Sequence, residues 1–257
     1  MKKNTMMRVA SVLLVAVLLS TCVISSTFAK YVTSVNGSDS ARVAKWGIGS
    51  DLSGTQTFST SYDNGMIASG ENPKDDVVAP GASDEGVYIL TGTPETAYQV
   101  TFNFDKTNDV FLNKGTYTCS DGATNNYVVN DDPAYNPIQW TVTLSTSNGS
   151  IVDGGLQAGE NEYDDLDQVA AAIDATKIDF AANQTCDVEI TIAWDWAFSS
   201  ANNVNDAADT VLGNLAADAS KVKGTNNADL TANTDYCLNV GYTLVLTATQ
   251  VNTPAQP

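Results

Sequence analysis

Hydrophobic and polar residues alternate along several long segments of the chain, which is the period-two pattern of a β-strand with one buried face. The clearest segments cover residues 98–104, 138–144, 188–196 and 238–250. A shorter alternation around Trp46 predicts an additional strand near the beginning of the exported domain. The pattern therefore predicts a protein built mainly from β-strands.

Two segments instead carry apolar residues at helical spacing. Leu166, Val169 and Ile173 form one short stripe, and acidic residues precede it, as the positive end of a helix dipole favours. A second amphipathic helix is predicted within residues 207–222. Both helices are short, so we expect them in connections between strands.

The turn-rich connections contain no internal repeat and no interdomain linker. Residues 105–137 are rich in Asn, Asp and Gly and contain two prolines, which predicts a loop without regular structure. The sequence thus predicts a mostly β protein, a single jelly-roll-like β-sandwich over residues 42–252 with a polar tail at 253–257. The predicted core aromatic residues are Trp46, Trp140, Trp194 and Trp196.

Residues 1–29 have the organisation of a secretory signal peptide. Three basic residues precede an apolar run over residues 9–19, which is shorter than the roughly 20 residues that a membrane-spanning helix needs. Thr27 and Ala29 are small and lie two positions apart, so we expect signal peptidase to cut after Ala29. The alternative is an uncleaved segment that anchors the chain, and this is the only membrane contact that we expect.

The composition is strongly acidic, with 12 basic and 30 acidic residues and a formal net charge of −18. Such a chain is repelled by nucleic acid and by anionic lipid, so we expect no nucleic-acid partner. It contains no His, which excludes a His-based catalytic triad and a His-Glu-x-x-His zinc helix. We therefore predict no catalytic residue and no enzyme activity.

Other candidate chemistry is weak. Glu189 and Asp195 share a predicted strand face but would lie roughly 20 Å apart, too far for a glycosidase pair. Asp and Asn residues crowd 121–136 and 202–209, and their oxygens suit calcium, but neither segment has the spacing of an EF-hand. We predict no metal ligand and no cofactor, with calcium as the alternative to a solvated acidic surface.

Three cysteines, Cys119, Cys186 and Cys237, follow the predicted cleavage site. One disulfide with one free thiol is an option in an exported chain, and all three pairings are open. The other option is three buried, reduced thiols. No Cys-x-x-Cys motif is present, so zinc is not expected.

Four segments together resemble one family of exported bacterial proteins. TFAKYVTSVNGSDSARVAKWGIG at 27–49 resembles the signal junction and first mature strand of proteins processed by a SipW-type signal peptidase, the TasA and camelysin family. VVAPGASDEGVYILTGTPETAYQVTFNF resembles the family's Pro-Gly turn and paired strands. ITIAWDWAFSSANNVNDAADTVLG and YTLVLTATQVN resemble its Trp-x-Trp-x-Phe segment and closing strand. The order and spacing of the four segments carry the resemblance.

This resemblance implies a structural subunit of extracellular biofilm-matrix fibres, exported by a Gram-positive bacterium to the cell surface or matrix. It implies head-to-tail self-assembly by N-terminal donor-strand addition, with the donor in residues 30–41 and Tyr31, Val32 and Val35 as its apolar side chains. The implied partners are further copies of the chain, a SipW-type signal peptidase and an accessory matrix protein. The alternatives are a monomeric surface binding module or adhesin and a camelysin-like metallopeptidase, which the lack of His disfavours.

Overall fold

The structure, a computed structural model, describes residues 32–36, 39–40, 48–51, 57–58, 78–121, 123–198 and 205–251. Residues 32–36, 39–40, 50–51, 121, 123 and 153 are described as backbone only. The predicted signal peptide with Thr27 and Ala29 lies outside these ranges, as do Tyr31, Trp46 and residues 253–257. None of the helices in the described ranges has both the length and the apolar character to cross a membrane.

The described elements are mostly strands. In chain order the strands are β1 (Val32–Asn36), β2 (Asp39–Ser40), β3 (Ile48–Asp51), β4 (Ser83–Gly92), β5 (Tyr98–Asn108), β6 (Phe111–Asp121), β7 (Ala123–Tyr135), β8 (Ile138–Ser145), β9 (Ser150–Asp153), β10 (Gly159–Tyr163), β11 (Lys177–Phe180), β12 (Cys186–Trp196), β13 (Val222–Lys223), β14 (Tyr236–Cys237) and β15 (Gly241–Gln250). The helices are α1 (Leu166–Ala175) and α2 (Asp206–Asp218), with short 3-10 turns at Ala219–Lys221 and Thr225–Asn227.

Two antiparallel sheets form a jelly roll. The first has the order β2-β1-β15-β5-β11-β9 and the second has the order β10-β8-β12-β4-β3. Along the chain, β4, β8, β10 and β12 belong to the second sheet, whereas β5, β11 and β15 belong to the first. The strand orders β1-β15-β5-β11 and β4-β12-β8-β10 are those of the two jelly-roll sheets. The predicted fold class, a mostly β jelly-roll sandwich with two short helices, is confirmed.

The core lies between the two sheets because every second residue of the long strands faces inward. In β12 every second residue is buried without interruption, from Cys186 to Trp196. Trp140 on β8 meets Tyr242 on β15 edge to face, with ring centroids 6.4 Å apart, which is a contact across the sandwich. Trp140, Trp194 and Trp196 are all buried.

The helices form where the apolar stripes predict them. Helix α1 begins after Asp165, whose side chain accepts a hydrogen bond from the Gln168 backbone N–H. It buries Leu166, Val169 and Ile173 among its apolar residues. Helix α2 begins at Asp206 and ends at Asp218, where a 3-10 turn replaces the last part of the predicted helix.

The prediction of an irregular loop over residues 105–137 is wrong. This region completes β5 and forms the long hairpin β6–β7, which belongs to a third sheet together with β13 and β14. The hairpin is ordered because Tyr117, Val129 and Tyr135 are buried, while α2 packs against both of its strands. Pro133 lies in an irregular part of β7, where residues 130–133 oppose the single residue Lys114, so its missing N–H breaks no ladder bond.

Candidate strand-exchange site

The candidate donor segment, residues 30–41, contains β1 and β2 and takes part in the first sheet of its own chain. Strand β1 pairs antiparallel with β15 through four residue pairs, from Val32 opposite Thr249 to Val35 opposite Leu246. The two-residue strand β2 then pairs with the end of β1. The donor candidates Val32 and Val35 therefore lie directly beside the C-terminal strand.

Strand β15 is held mainly by its other neighbour and by the core. It pairs with β5 through ten residue pairs, against four with β1. Its inward-facing residues Leu244, Leu246 and Ala248 are buried. Because these contacts do not involve β1, β15 would keep its position if β1 moved away, and its edge would then present unpaired N–H and C=O groups.

A partly buried cluster of three hydroxyls, those of Thr57, Tyr88 and Tyr242, lies beside the beginning of β15. The Tyr242 hydroxyl is 2.9 Å from the Tyr88 hydroxyl. Thr57 Oγ1 is hydrogen-bonded to Tyr242 and lies 3.2 Å from the Tyr88 hydroxyl. The Trp194 indole N–H donates to the Thr57 carbonyl oxygen at 2.7 Å. Burial is the largest cause of the raised pKa of Tyr242, so the Tyr242 hydroxyl stays protonated, and its hydrogen bond with Tyr88 joins the two sheets.

The ring of Phe58 packs against aromatic residues beside this hydroxyl cluster. Its ring centroid lies 6.3 Å from that of Trp140, 5.8 Å from that of Trp194 and 6.2 Å from that of Tyr242. The dipeptide Thr57-Phe58 thus joins aromatic residues of both sheets. Sequence analysis missed these two residues, since one Phe among Thr and Ser residues shows no periodicity that could identify it.

The three cysteines lie apart on β6, β12 and β14, and each is a buried free thiol. The structure thus corresponds to the reduced alternative. Burial raises the pKa of the Cys186 thiol to about 11, and burial also raises the pKa of Cys119. Neither thiol is ionised near neutral pH, so neither has the character of a nucleophile.

One buried carboxylate, Asp109, and one partly buried carboxylate, Asp209, support the fold around the helices. Asp109 accepts a hydrogen bond from the Leu166 N–H at 2.9 Å, at the beginning of α1. Asp209 on α2 accepts from the Tyr135 hydroxyl at 2.8 Å and from the Trp196 indole N–H at 3.1 Å. Burial is the main cause of the raised pKa of both groups, and the pKa of Asp109 reaches about 6. Both carboxylates therefore accept hydrogen bonds from groups within the fold, which is a structural role.

Glu189 and Asp195, the carboxylates that sequence analysis considered for acid-base chemistry, are both exposed on β12. Within the described ranges, no group of three or more Cys, Asp or Glu residues is arranged to hold a metal ion. Residues 202–204 of the second acidic segment lie outside those ranges. The remaining candidate functional site is the edge of β15, which the N-terminal strand β1 covers.

Comparison with known proteins finds no matching protein family, no matching curated protein and no matching solved structure.

Proposed function

We propose that this protein is an exported structural subunit of extracellular matrix fibres, in which β1 of one copy pairs with β15 of the next. The observation that carries the proposal is the position of β1. It is the first described strand of the chain, it lies beside β15, and only four residue pairs join the two strands. A segment with these properties can leave one sheet and enter another with little change elsewhere.

Exchange of β1 between copies would preserve the hydrogen-bond pattern along β15. A β1 strand from a second copy would make the same hydrogen bonds to β15 as the strand that it replaces. Seven residues, 41–47, separate β2 from β3, which belongs to the other sheet. Donation in one direction leaves a free donor at one end and a free acceptor at the other, so the contact does not close and a filament grows.

Charge opposes this assembly at neutral pH. Removal of residues 1–29 takes away three basic residues, which leaves nine basic against 30 acidic residues and a net charge of −21. Copies of such a chain repel each other until carboxylates are protonated. We therefore expect filaments to form more readily at mildly acidic pH than at neutral pH.

A reversible cross-link tests the exchange directly. Ser34 lies opposite Thr247 in the β1–β15 pairing, and directly opposed residues have Cα atoms about 4.5–5.5 Å apart, within the range for a disulfide. The variant with Ser34→Cys and Thr247→Cys, in residues 30–257, should form a disulfide inside each monomer when it is oxidised before assembly. This form should give no filaments in negative-stain electron microscopy, and reduction should restore them.

Oxidation after assembly should join Ser34→Cys of one copy to Thr247→Cys of the next, giving a ladder of covalent oligomers on a denaturing gel. The single-cysteine variants are the controls and should give no ladder beyond a dimer. Filaments that contain only monomeric disulfides would refute strand exchange. Persistent monomers at neutral and mildly acidic pH, with or without residues 30–41, would instead favour a monomeric surface binding module with β1 as a permanent strand.

A further inference from the structure

The outer edge of β7 differs from the other outermost strands in the described part of the chain. β7 is 13 residues long and, among the described strands, pairs with β6 alone. The other outermost strands, β2, β3, β9, β10, β13 and β14, are two to five residues long. Short length is one of the features by which proteins prevent edge-to-edge association, and β7 lacks it.

Other features protect two of these edges as well. β10 carries the exposed residues Glu160 and Glu162, and the pairing of β9 with β11 is irregular in register. In contrast, residues 123–130 of β7 read ATNNYVVN and contain no charged residue and no Pro. This run is bounded by acidic residues on both sides, at 121 and at 131–132. The uncharged edge is therefore limited to one segment.

The exposed side of β7 is also partly apolar, while its other side is firmly placed. The side chain of Val128 is 55% exposed, and Thr124, Asn125 and Asn126 are exposed around it. Val129 is buried, and pairing with β6 is continuous from Ala123 to Val129. The backbone at the open edge is thus held in the extended form that an added strand requires.

We propose that β7 is a self-association surface, in which two copies pair their β7 strands antiparallel about a two-fold axis near Asn126 and Tyr127. Such pairing is self-complementary, because each strand offers the other the same row of N–H and C=O groups. It would join two four-stranded sheets into one continuous sheet.

The edge of β7 suits a second copy of the chain, because this edge is uncharged while the chain as a whole is acidic. In a chain with 30 acidic and 12 basic residues, most surfaces of two copies would bring carboxylates together. Pairing of residues 123–130 with themselves sets uncharged residues opposite uncharged residues and leaves Asp131 and Asp132 beyond the paired stretch.

The contact would be weak between single molecules. An eight-residue strand edge buries less than the roughly 1,200–2,000 Å² of a standard interface. Repetition along a polymer would strengthen it by avidity, so that β7 would link filaments side by side. This linking of filaments rests on the proposed function, whereas the pairing of two β7 strands uses neither β1 nor β15 and is independent of strand exchange.

Matched charge substitutions test the proposal in residues 30–257 at neutral pH. Val128→Lys adds a Lys to the β7 edge, where two copies would meet. Val152→Lys makes the same charge change at an exposed Val, 48% accessible, on β9. Sedimentation velocity should show a weak dimer of the unmodified chain, a dissociation constant raised at least tenfold by Val128→Lys, and a change of less than about twofold with Val152→Lys. A strictly monomeric unmodified chain up to about 1 mM, or equal effects of the two variants, would overturn the proposal.

A cysteine scan tests the two-fold register. Single substitutions to Cys at 124, 125, 126, 127 and 128 are oxidised in otherwise unmodified protein, whose native thiols are buried. Moving two residues from the axis displaces the two thiols by four residues along the strands, about 13 Å, beyond disulfide reach. Cross-linked dimer should peak at the one position that lies on the axis, because one residue away the two copies are already displaced by two residues along the strands. Equal cross-linking at every position, or at none, would contradict the paired strands, and either result is separate from the Ser34–Thr247 ladder that tests strand exchange.

Discussion

Replacement of Asp109 by Asn should remove a specific part of the pH dependence of stability. Asp109 is 9% exposed, lies between β5 and β6, and accepts a hydrogen bond from the Leu166 N–H of α1. Burial raises the pKa of Asp109 to about 6, against the lowering effects of the Leu166 hydrogen bond and of Lys106. Asp109→Asn keeps an oxygen that can accept the same hydrogen bond but cannot titrate.

The sign and the size of this pH effect on stability follow from the raised pKa of Asp109. The folded protein binds the Asp109 proton more tightly than the unfolded chain, in which an aspartate pKa is about 3.9. Protonation therefore stabilises the fold, and the free energy of unfolding should rise as the pH falls through about 6 and level off near 4. The difference between the two pKa values corresponds to about 3 kcal/mol.

The assay is urea unfolding at pH 7 and pH 4.5, followed by the fluorescence of the buried tryptophans at low protein concentration. The gain in unfolding free energy between pH 7 and pH 4.5 should be smaller in Asp109→Asn than in the unmodified protein by about 2 kcal/mol. Asp164→Asn, at an exposed position nearby, is the matched control and should retain the full gain. An identical pH dependence in Asp109→Asn and the unmodified protein would refute the assignment of a raised pKa to this buried carboxyl.

Three further predictions concern packing, the hydroxyl cluster and the thiols. Gly155→Ala should destabilise the protein by about 1–3 kcal/mol in urea unfolding, because its new Cβ would lie 2.3 Å from the Ala172 backbone, whereas Gly213→Ala on α2, with nothing within 4 Å, should be neutral or stabilising. An unchanged midpoint for Gly155→Ala would contradict the close packing of α1. Thr57→Val should cost about 0.5–1.5 kcal/mol, because it removes the hydrogen bond between Thr57 and Tyr242 while Tyr88 remains a partner of Tyr242; wild-type stability would show that the Thr57 hydroxyl contributes little. Iodoacetamide should label none of the three buried thiols in the folded protein at neutral pH and all of them in denaturant; labelling of a single thiol in denaturant would instead indicate a disulfide.

Mild acid should act on the subunit and on its assembly in the same direction. Protonation of Asp109 stabilises the folded chain, as its raised pKa requires. Protonation of exposed carboxylates lowers the repulsion between copies that carry a strongly negative charge. The Asp109→Asn variant separates the two effects, because it should change the pH dependence of unfolding while leaving the pH dependence of filament formation.

The long strands and both helices could be predicted from sequence because their burial has a simple period. β5, β8 and β12 each bury alternate residues, and the amphipathic stripe of α1 is visible in Leu166, Val169 and Ile173. The boundaries were less accurate: the last strand begins at Gly241, after the predicted start at 238. The alternation and the turn-rich connections were sufficient to predict a β-sandwich, since each strand shows which of its faces is buried, whereas the jelly-roll strand order is defined by the pairing in the structure.

What the sequence by itself determined about this protein is therefore the class of fold and the acidic, His-free composition that excludes several kinds of chemistry. Only the tertiary structure decided that β1 lies beside β15, that Thr57 and Phe58 enter the core, and that residues 111–135 form a hairpin with one open edge. The physical reason is that these features depend on contacts between residues far apart in the chain. Local periodicity records whether a face is buried, but it carries no information about which strand or helix covers that face.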